Sequence, residues 1–200
     1  MDAIVMAGGL GKRLGMGEKP CIEILGRPLI SYVVDALEGS EKIDRIFVAV
    51  SPATPNTKIV VTNYYNGRIK VIQTSGGNYV GDMVHAVESA GIVDPVLIIM
   101  SDLPLITPDL IDSIICEYEK CGRPAMSVHV LIAVCKGLGV RPDTVFNRNG
   151  NLIVPTGVNI LDGKDIRHEQ EDFNLVLEIP ELALNINTVE DLKRCKDMLK

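Results

Sequence analysis

Ala3-Ile4-Val5-Met6-Ala7-Gly8-Gly9-Leu10-Gly11-Lys12-Arg13-Leu14-Gly15 begins as an apolar, β-branched run and is then broken by glycines and two adjacent cations. An apolar run with no polar alternation reads as a strand buried on both faces, as in a parallel sheet. Glycines directly after it let the backbone approach a ligand closely and turn successive N–H groups toward one point, a cradle for an anion. In an α/β sheet the segment leaving a strand lies at the carboxyl edge, where ligands bind.

Outward from that stretch the same grammar repeats. Apolar runs at 45–50, 70–74 and 95–100 alternate with helical spacings: Leu29, Val33, Ala36 and Leu37; Met83, Val84 and Val87; Leu110, Ile111, Ile114 and Ile115. Such alternation specifies an α/β layered fold with a mostly parallel sheet and right-handed crossovers. Thr107-Pro108-Asp109 is a helix start, with a capping hydroxyl, a proline in the first turn and an acid at the positive helix end. Past residue 122 the pattern changes to strand-like segments at 126–134, 152–154, 158–161 and 174–178. A last helix is predicted over 188–199, with Thr188 and Asp191 at capping-box spacing. With no repeat or linker in 200 residues, one domain is expected.

A net charge of -6 argues against nucleic acid or an anionic membrane as partner, since both are bound by massed Lys and Arg. Cys21, Cys116, Cys121, Cys135 and Cys195 show no metal-ligand spacing and read as buried free thiols, suited to a reducing cytoplasm. The amino terminus shows neither a leader nor a spanning helix. Nothing in the sequence decides whether the chain pairs as a homodimer.

The glycine loop differs from two familiar types. A Walker loop needs Ser or Thr after Gly11-Lys12, where Arg13 stands, and a glycine at position 6, which is Met. A dinucleotide fingerprint needs glycine at position 14, which is Leu, and an acid ending the second strand, which instead runs into Ser51-Pro52. What remains is Gly8-Gly9-x-Gly11-x-Arg13-x-Gly15 followed by Glu18-Lys19-Pro20, with Arg13 and Lys19 as its cations. Two fixed cations beside a cradle suit a triphosphate: an arginine forks onto phosphate oxygens and a lysine neutralises charge redistributed at the α-phosphate.

Residues 3–37, through Leu25-Gly26-Arg27-Pro28-Leu29-Ile30-Ser31, resemble the start of the MobA-like nucleotidyltransferases. The resemblance implies a Rossmann-like sheet with helices on both faces, an NTP donor, Mg²⁺ and release of pyrophosphate. It also implies Gly8, Gly9, Gly11, Arg13 and Lys19 as donor-phosphate residues, with Leu10 and Lys12 in the same loop. Residues 1–120 would then be the NTP-binding half and 121–200 the acceptor half. Asp102 closes the run Ile98-Ile99-Met100-Ser101 on the edge shared with the glycine loop, and Thr107 already supplies the next helix cap. A carboxylate there is the expected Mg²⁺ ligand, since that cation bridges carboxylate and phosphate oxygens. Asn187 stands where relatives carry Asp or Asn, a second, uncharged candidate ligand.

The polar turn Thr74-Ser75-Gly76, with Asp82 behind it, offers hydroxyls, amides and a carboxylate suited to the edge of a purine. Together with Gly157, Asn159 and the segment Asn185-Ile186-Asn187-Thr188, it is similar to the adenosylcobinamide-phosphate guanylyltransferases of archaea within that family. This likeness implies GTP as donor and adenosylcobinamide phosphate as acceptor. Transfer to a molybdenum cofactor precursor or another acceptor, and a nucleotide-binding module without turnover, are the competing readings. A phosphate acceptor is ionised at neutral pH and needs no general base, in keeping with His85, His129 and His168 lying outside every motif. With 4% aromatic residues and no Trp, a large stacking platform is not expected.

Overall fold

The computed structural model describes residues 1–9, 11 and 13–200. Leu10 and Lys12, both expected in the phosphate cradle, lie outside the described residues. The chain runs through β1 (Asp2–Met6), β2 (Glu23–Ile24), β3 (Arg27–Pro28), α1 (Leu29–Gly39), β4 (Ile46–Val50), α2 (Pro55–Tyr64) and β5 (Lys70–Gln73). It continues through α3 (Tyr79–Ala90), β6 (Pro95–Met100), α4 (Pro108–Cys121), β7 (Ala125–Leu131), α5 (Ile132–Leu138), β8 (Phe146–Arg148), β9 (Asn151–Asp162), β10 (Asp172–Leu177) and α6 (Val189–Met198).

The main sheet has the order β10-β7-β9-β6-β1-β4-β5, with β8 paired to β9. Pairing is parallel from β6 through β1 and β4 to β5, and again between β10 and β7, while β9 runs antiparallel to β6 and β7. The two-residue side-chain period explains why the early runs are apolar throughout. Ala3, Val5, Val48, Val50, Leu97 and Ile99 pack on one face beneath α1, α2 and α4. Ile4, Met6, Phe47, Ala49, Val96 and Ile98 pack on the other against α3. A third cluster joins Leu14, Ile22, Ile24 and Leu29 to Leu184, Ile186, Leu192 and Cys195, fastening the region after the glycine loop to the carboxyl-terminal helix.

Three expectations change. Residues 132–134 belong to α5, because the β-branched run from β7 continues into the helix without a breaker. Segments 152–154 and 158–161 form one strand, β9; Pro155 sits opposite His129 where the register shifts, and proline is tolerated at such irregularities. Of the cysteines, Cys135 and Cys195 are buried, while Cys21, Cys116 and Cys121 are half-buried. Thr107 caps α4 by accepting from Leu110 N, and Thr188 and Asp191 form the full capping box of α6. No helix among the described residues is long and apolar enough to cross a membrane.

Candidate active site

β1 has β4 on one side and β6 on the other: the chain winds outward through β4 and β5 and returns across β1 to β6, which opens a crevice at the carboxyl ends of β1 and β6. The glycine loop leaves β1 and Ser101-Asp102 leaves β6, and their residues line a cavity of about 220 Å³: Gly9, Gly11, Arg13, Lys19, Asp102 and Asn187, floored by Met6 and Met100. Gly11 has φ +58°, and a Cβ built on it would stand 2.6 Å from Lys19 Cβ. Only glycine therefore fits between the loop and the lysine stem. Gly8 packs on Ser51, whose hydroxyl donates to Gly8 O at 2.9 Å, binding the end of β4 to the loop.

Lys19 is positioned by its neighbour. Glu18 receives Asn56 N and Asn56 Nδ2 on Oε1, both at 2.9 Å, and Thr57 N and Thr57 Oγ1 on Oε2, both at 2.7 Å. Thr54, at the N-cap of α2, makes no side-chain cap, so Glu18 caps that helix from another part of the chain. Partial burial opposes ionisation of Glu18, but these hydrogen bonds outweigh it and hold the carboxyl below its ordinary range. A 3-10 turn over Lys19–Cys21 then aims Lys19 into the crevice. Lys19 Nζ donates to Asp102 Oδ2 at 2.5 Å and to Asn187 Oδ1 at 2.8 Å. Asp102 Oδ1 accepts from Asn185 Nδ2 at 3.1 Å, and the same Nδ2 lies 3.2 Å from Thr156 O. Lys19 and Asp102, expected to do charge chemistry, thus meet Asn187, the second expected ligand, at one point, with the Lys19 and Asp102 side chains only 14% and 8% exposed.

A larger cavity of about 570 Å³ opens on the other side of that point, lined by Tyr79, Arg141, Val154, Gly157, Asn159 and Asn185 among others. Lys19, Asp102 and Asn187 line both hollows. Gly157, at φ +86°, lets β9 pass Met100; a Cβ there would lie 2.6 Å from Met100 Cγ. Arg13 is engaged elsewhere: its Nη1 and Nη2 donate to Asp143 Oδ1 and Oδ2 at 2.7 and 2.6 Å, bridging the glycine loop to the segment before β8. The fork from Arg13 holds the Asp143 carboxyl below its ordinary range and raises the guanidinium in return.

The expected purine-edge set divides. Thr74 is 5% exposed and its hydroxyl donates to Val50 O at 3.0 Å; Asp82 Oδ1 accepts from Ser75 Oγ at 3.1 Å and Gly76 N at 2.9 Å. Thr74 and Asp82 thus make hydrogen bonds at this turn, and Ser75 and Gly76 form its exposed surface. Sequence reasoning missed Asn185, Asp143 and the clamp made by Glu18. Asn185-Ile186-Asn187 did carry a signal: in an extended segment the two amides share a side while Ile186 points into the core. The histidines are satisfied away from the cavities: His129 against Ser127 O, His85 against Ser89 and His168 against Asp165. Burial pushes the His129 imidazole below its ordinary range.

An anion cradle at the switch point, a lysine and a carboxylate at its wall, and a second cavity across that wall define a nucleotidyltransferase. The chain belongs to the MobA-like NTP transferase family, whose domain model matches residues 3–137. It is 37% identical over 202 aligned residues to the adenosylcobinamide-phosphate guanylyltransferase of Methanocaldococcus jannaschii, covering 100% of this chain and 98% of that one. It is 33% identical over 131 residues to a protein of Thermococcus gammatolerans named "Probable molybdenum cofactor guanylyltransferase", covering 62% and 60%. Among solved structures, a CMP:2-keto-3-deoxy-manno-octonic acid synthetase complexed with CTP superposes with TM-score 0.73 at 15% identity over 100% of this chain and 97% of that one, a likeness of fold.

Proposed function

We propose that the chain transfers GMP from GTP to adenosylcobinamide phosphate, giving adenosylcobinamide-GDP and pyrophosphate in cobalamin biosynthesis, in the cytoplasm. The observation that carries the choice of acceptor is the degree of likeness over the full chain. Identity is 37% over all of it to the relative named for adenosylcobinamide phosphate, against 33% over 62% of it, or 25% over 98% of it, to relatives named for the molybdenum cofactor. One continuous sheet joins the halves 1–120 and 121–200, in keeping with a single domain.

The donor triphosphate lies on Gly8, Gly9 and Gly11 with Arg13 and Lys19 on its oxygens, and the acceptor enters the larger cavity. An acceptor phosphate oxygen attacks the α-phosphorus in line, a new P–O bond forms, the α–β anhydride bond breaks, and pyrophosphate departs. No proton is moved from the nucleophile, which is already ionised. Positioning and neutralisation of charge therefore supply the rate.

Asp102 and Asn187 suit Mg²⁺. Asp102 Oδ2 and Asn187 Oδ1 already converge on one cationic point, the Lys19 ammonium, and one carboxylate with an amide oxygen is an ordinary protein share of a site completed by phosphates and water. The described residues hold no cluster of three or more His, Cys, Asp or Glu ligands, so phosphate oxygens would have to complete the shell. Bound there, the ion would supply Lewis-acid neutralisation of phosphate charge.

Labelled GTP or ATP incubated with adenosylcobinamide phosphate, or with a molybdopterin acceptor, tests the reading. Label should pass from GTP to the corrinoid. Transfer only to the molybdopterin acceptor would replace it, and no transfer to any acceptor would leave a binding module.

A further inference from the structure

Beside the amino end of α6 lies a third hollow, of about 360 Å³, lined by Arg13, Arg141 and Arg194 with Asn187, Glu190 and Asp191. It adjoins the other two, since Arg13 also lines the loop cavity, Arg141 the larger cavity, and Asn187 all three. Three arginines line this one hollow in a chain of net charge -6, and guanidinium groups brought close together repel one another.

The nearby carboxylates answer that charge only in part. Asp143, which holds Arg13, lines the larger cavity and not this one. Asp191 is committed to its helix, accepting from Asn187 N at 3.1 Å and Thr188 N at 2.8 Å, and Arg194 Nη1 approaches it no closer than 3.6 Å. Arg141 has no hydrogen bond or ion pair with any described residue, and its side chain is exposed. Across the hollow stands Gly139; a Cβ on it would lie 3.2 Å from Arg194 Nη2, so the guanidinium rests against bare backbone. Arg141 and Arg194 both lie beyond residues 3–137, the part shared with the family at large.

We propose that Arg141 and Arg194 form a second phosphate subsite of the reaction, which shares Arg13 with the glycine cradle. It receives either the departing pyrophosphate or the phosphate monoester of the acceptor. Both are polyanions that a forked guanidinium recognises, and both must lie within reach of Arg13 and Asn187 when the α-phosphorus is attacked. The proposal rests on the transferase reading above, but binding of free pyrophosphate tests it without turnover.

Arg141→Ala, Arg194→Ala and the double variant are compared with the native enzyme. The readouts are the dissociation constant for free pyrophosphate, KM for GTP, KM for adenosylcobinamide phosphate, and melting temperature. Arg141 makes no hydrogen bond or ion pair with any described residue and is exposed, so its single variant should melt with the native protein. The double variant should weaken pyrophosphate binding, or raise the acceptor KM, at least tenfold. The first result assigns the subsite to the leaving group, the second to the acceptor. Both constants within twofold of native in the double variant would overturn the proposal. Loss of turnover with any corrinoid, while pyrophosphate binding still depends on both arginines, would instead sink the acceptor assignment and leave the subsite standing.

Discussion

Lys19 and Asp102 are each marked by their motif, but their meeting is not legible in the sequence. The pair is separated by 83 residues and closed by an amide 168 residues from the lysine. Because both side chains are nearly buried, they depend on each other for stability as well as for charge. Lys19→Ala is expected to raise the transfer barrier by about 2–4 kcal/mol, roughly 30- to 1,000-fold in rate. It should also lower the melting temperature by stranding the carboxylate. Adding Asp102→Asn should restore the melting temperature but not the rate, a separation that calorimetry and initial rates can read. Gly11 and Gly15 allow a second comparison, since both have positive φ but only Gly11 faces a neighbour within 4 Å. Alanine at either position costs ~1–2 kcal/mol of backbone strain. At Gly11 it must also displace Lys19, with a loss of turnover on the order of 100-fold. Gly15→Ala should retain most of its rate in the same assay.

At the scale of elements, the buried strands were the most readable, because parallel strands covered on both faces leave no polar interruption. α2 was not readable: its sequence Pro-Asn-Thr-Lys-Ile-Val-Val-Thr-Asn-Tyr buries only Thr57 and Val61, too few for an apolar stripe. That helix nevertheless anchors the segment carrying Lys19 through Glu18. Glu18→Gln should destabilise the protein by about 1 kcal/mol at neutral pH, the usual value of a lost cap. It should also lower kcat more than it raises the KM for GTP, because Lys19 loses its mooring. The folded carboxyl titrates below its unfolded value, so the ionic part of this stabilisation is complete above the ordinary glutamate range near pH ~4.3. It disappears as pH falls through the lowered folded value. Denaturation of native and variant proteins across pH 7 to 3 should therefore show the gap narrowing on the acid side.

Across the whole molecule, the layered fold and its carboxyl edge followed from the first hundred residues. The second half was misjudged where breakers proved harmless, as at Pro155 and Gly157 inside β9, and where no breaker marked the step from β7 into α5. The clustering of Leu14, Ile22 and Ile24 with α6 joins the two ends of the chain and encloses Cys195, whose thiol burial pushes up to about 11. Cys195 should accordingly resist alkylation at neutral pH until the molecule opens globally. Peptide-resolved labelling across a urea series should place its reactivity on the main unfolding transition, with half-buried Cys121 reacting earlier. The fork between Arg13 and Asp143 also spans the two halves, and it means that the protein itself supplies a counter-anion for Arg13. A lone chloride or orthophosphate that dislodges Asp143 exchanges one partner of Arg13 for another and gains little. On the proposed function, a nucleoside triphosphate would add the glycine amides and Lys19 to that exchange, and so would gain where a simpler anion does not.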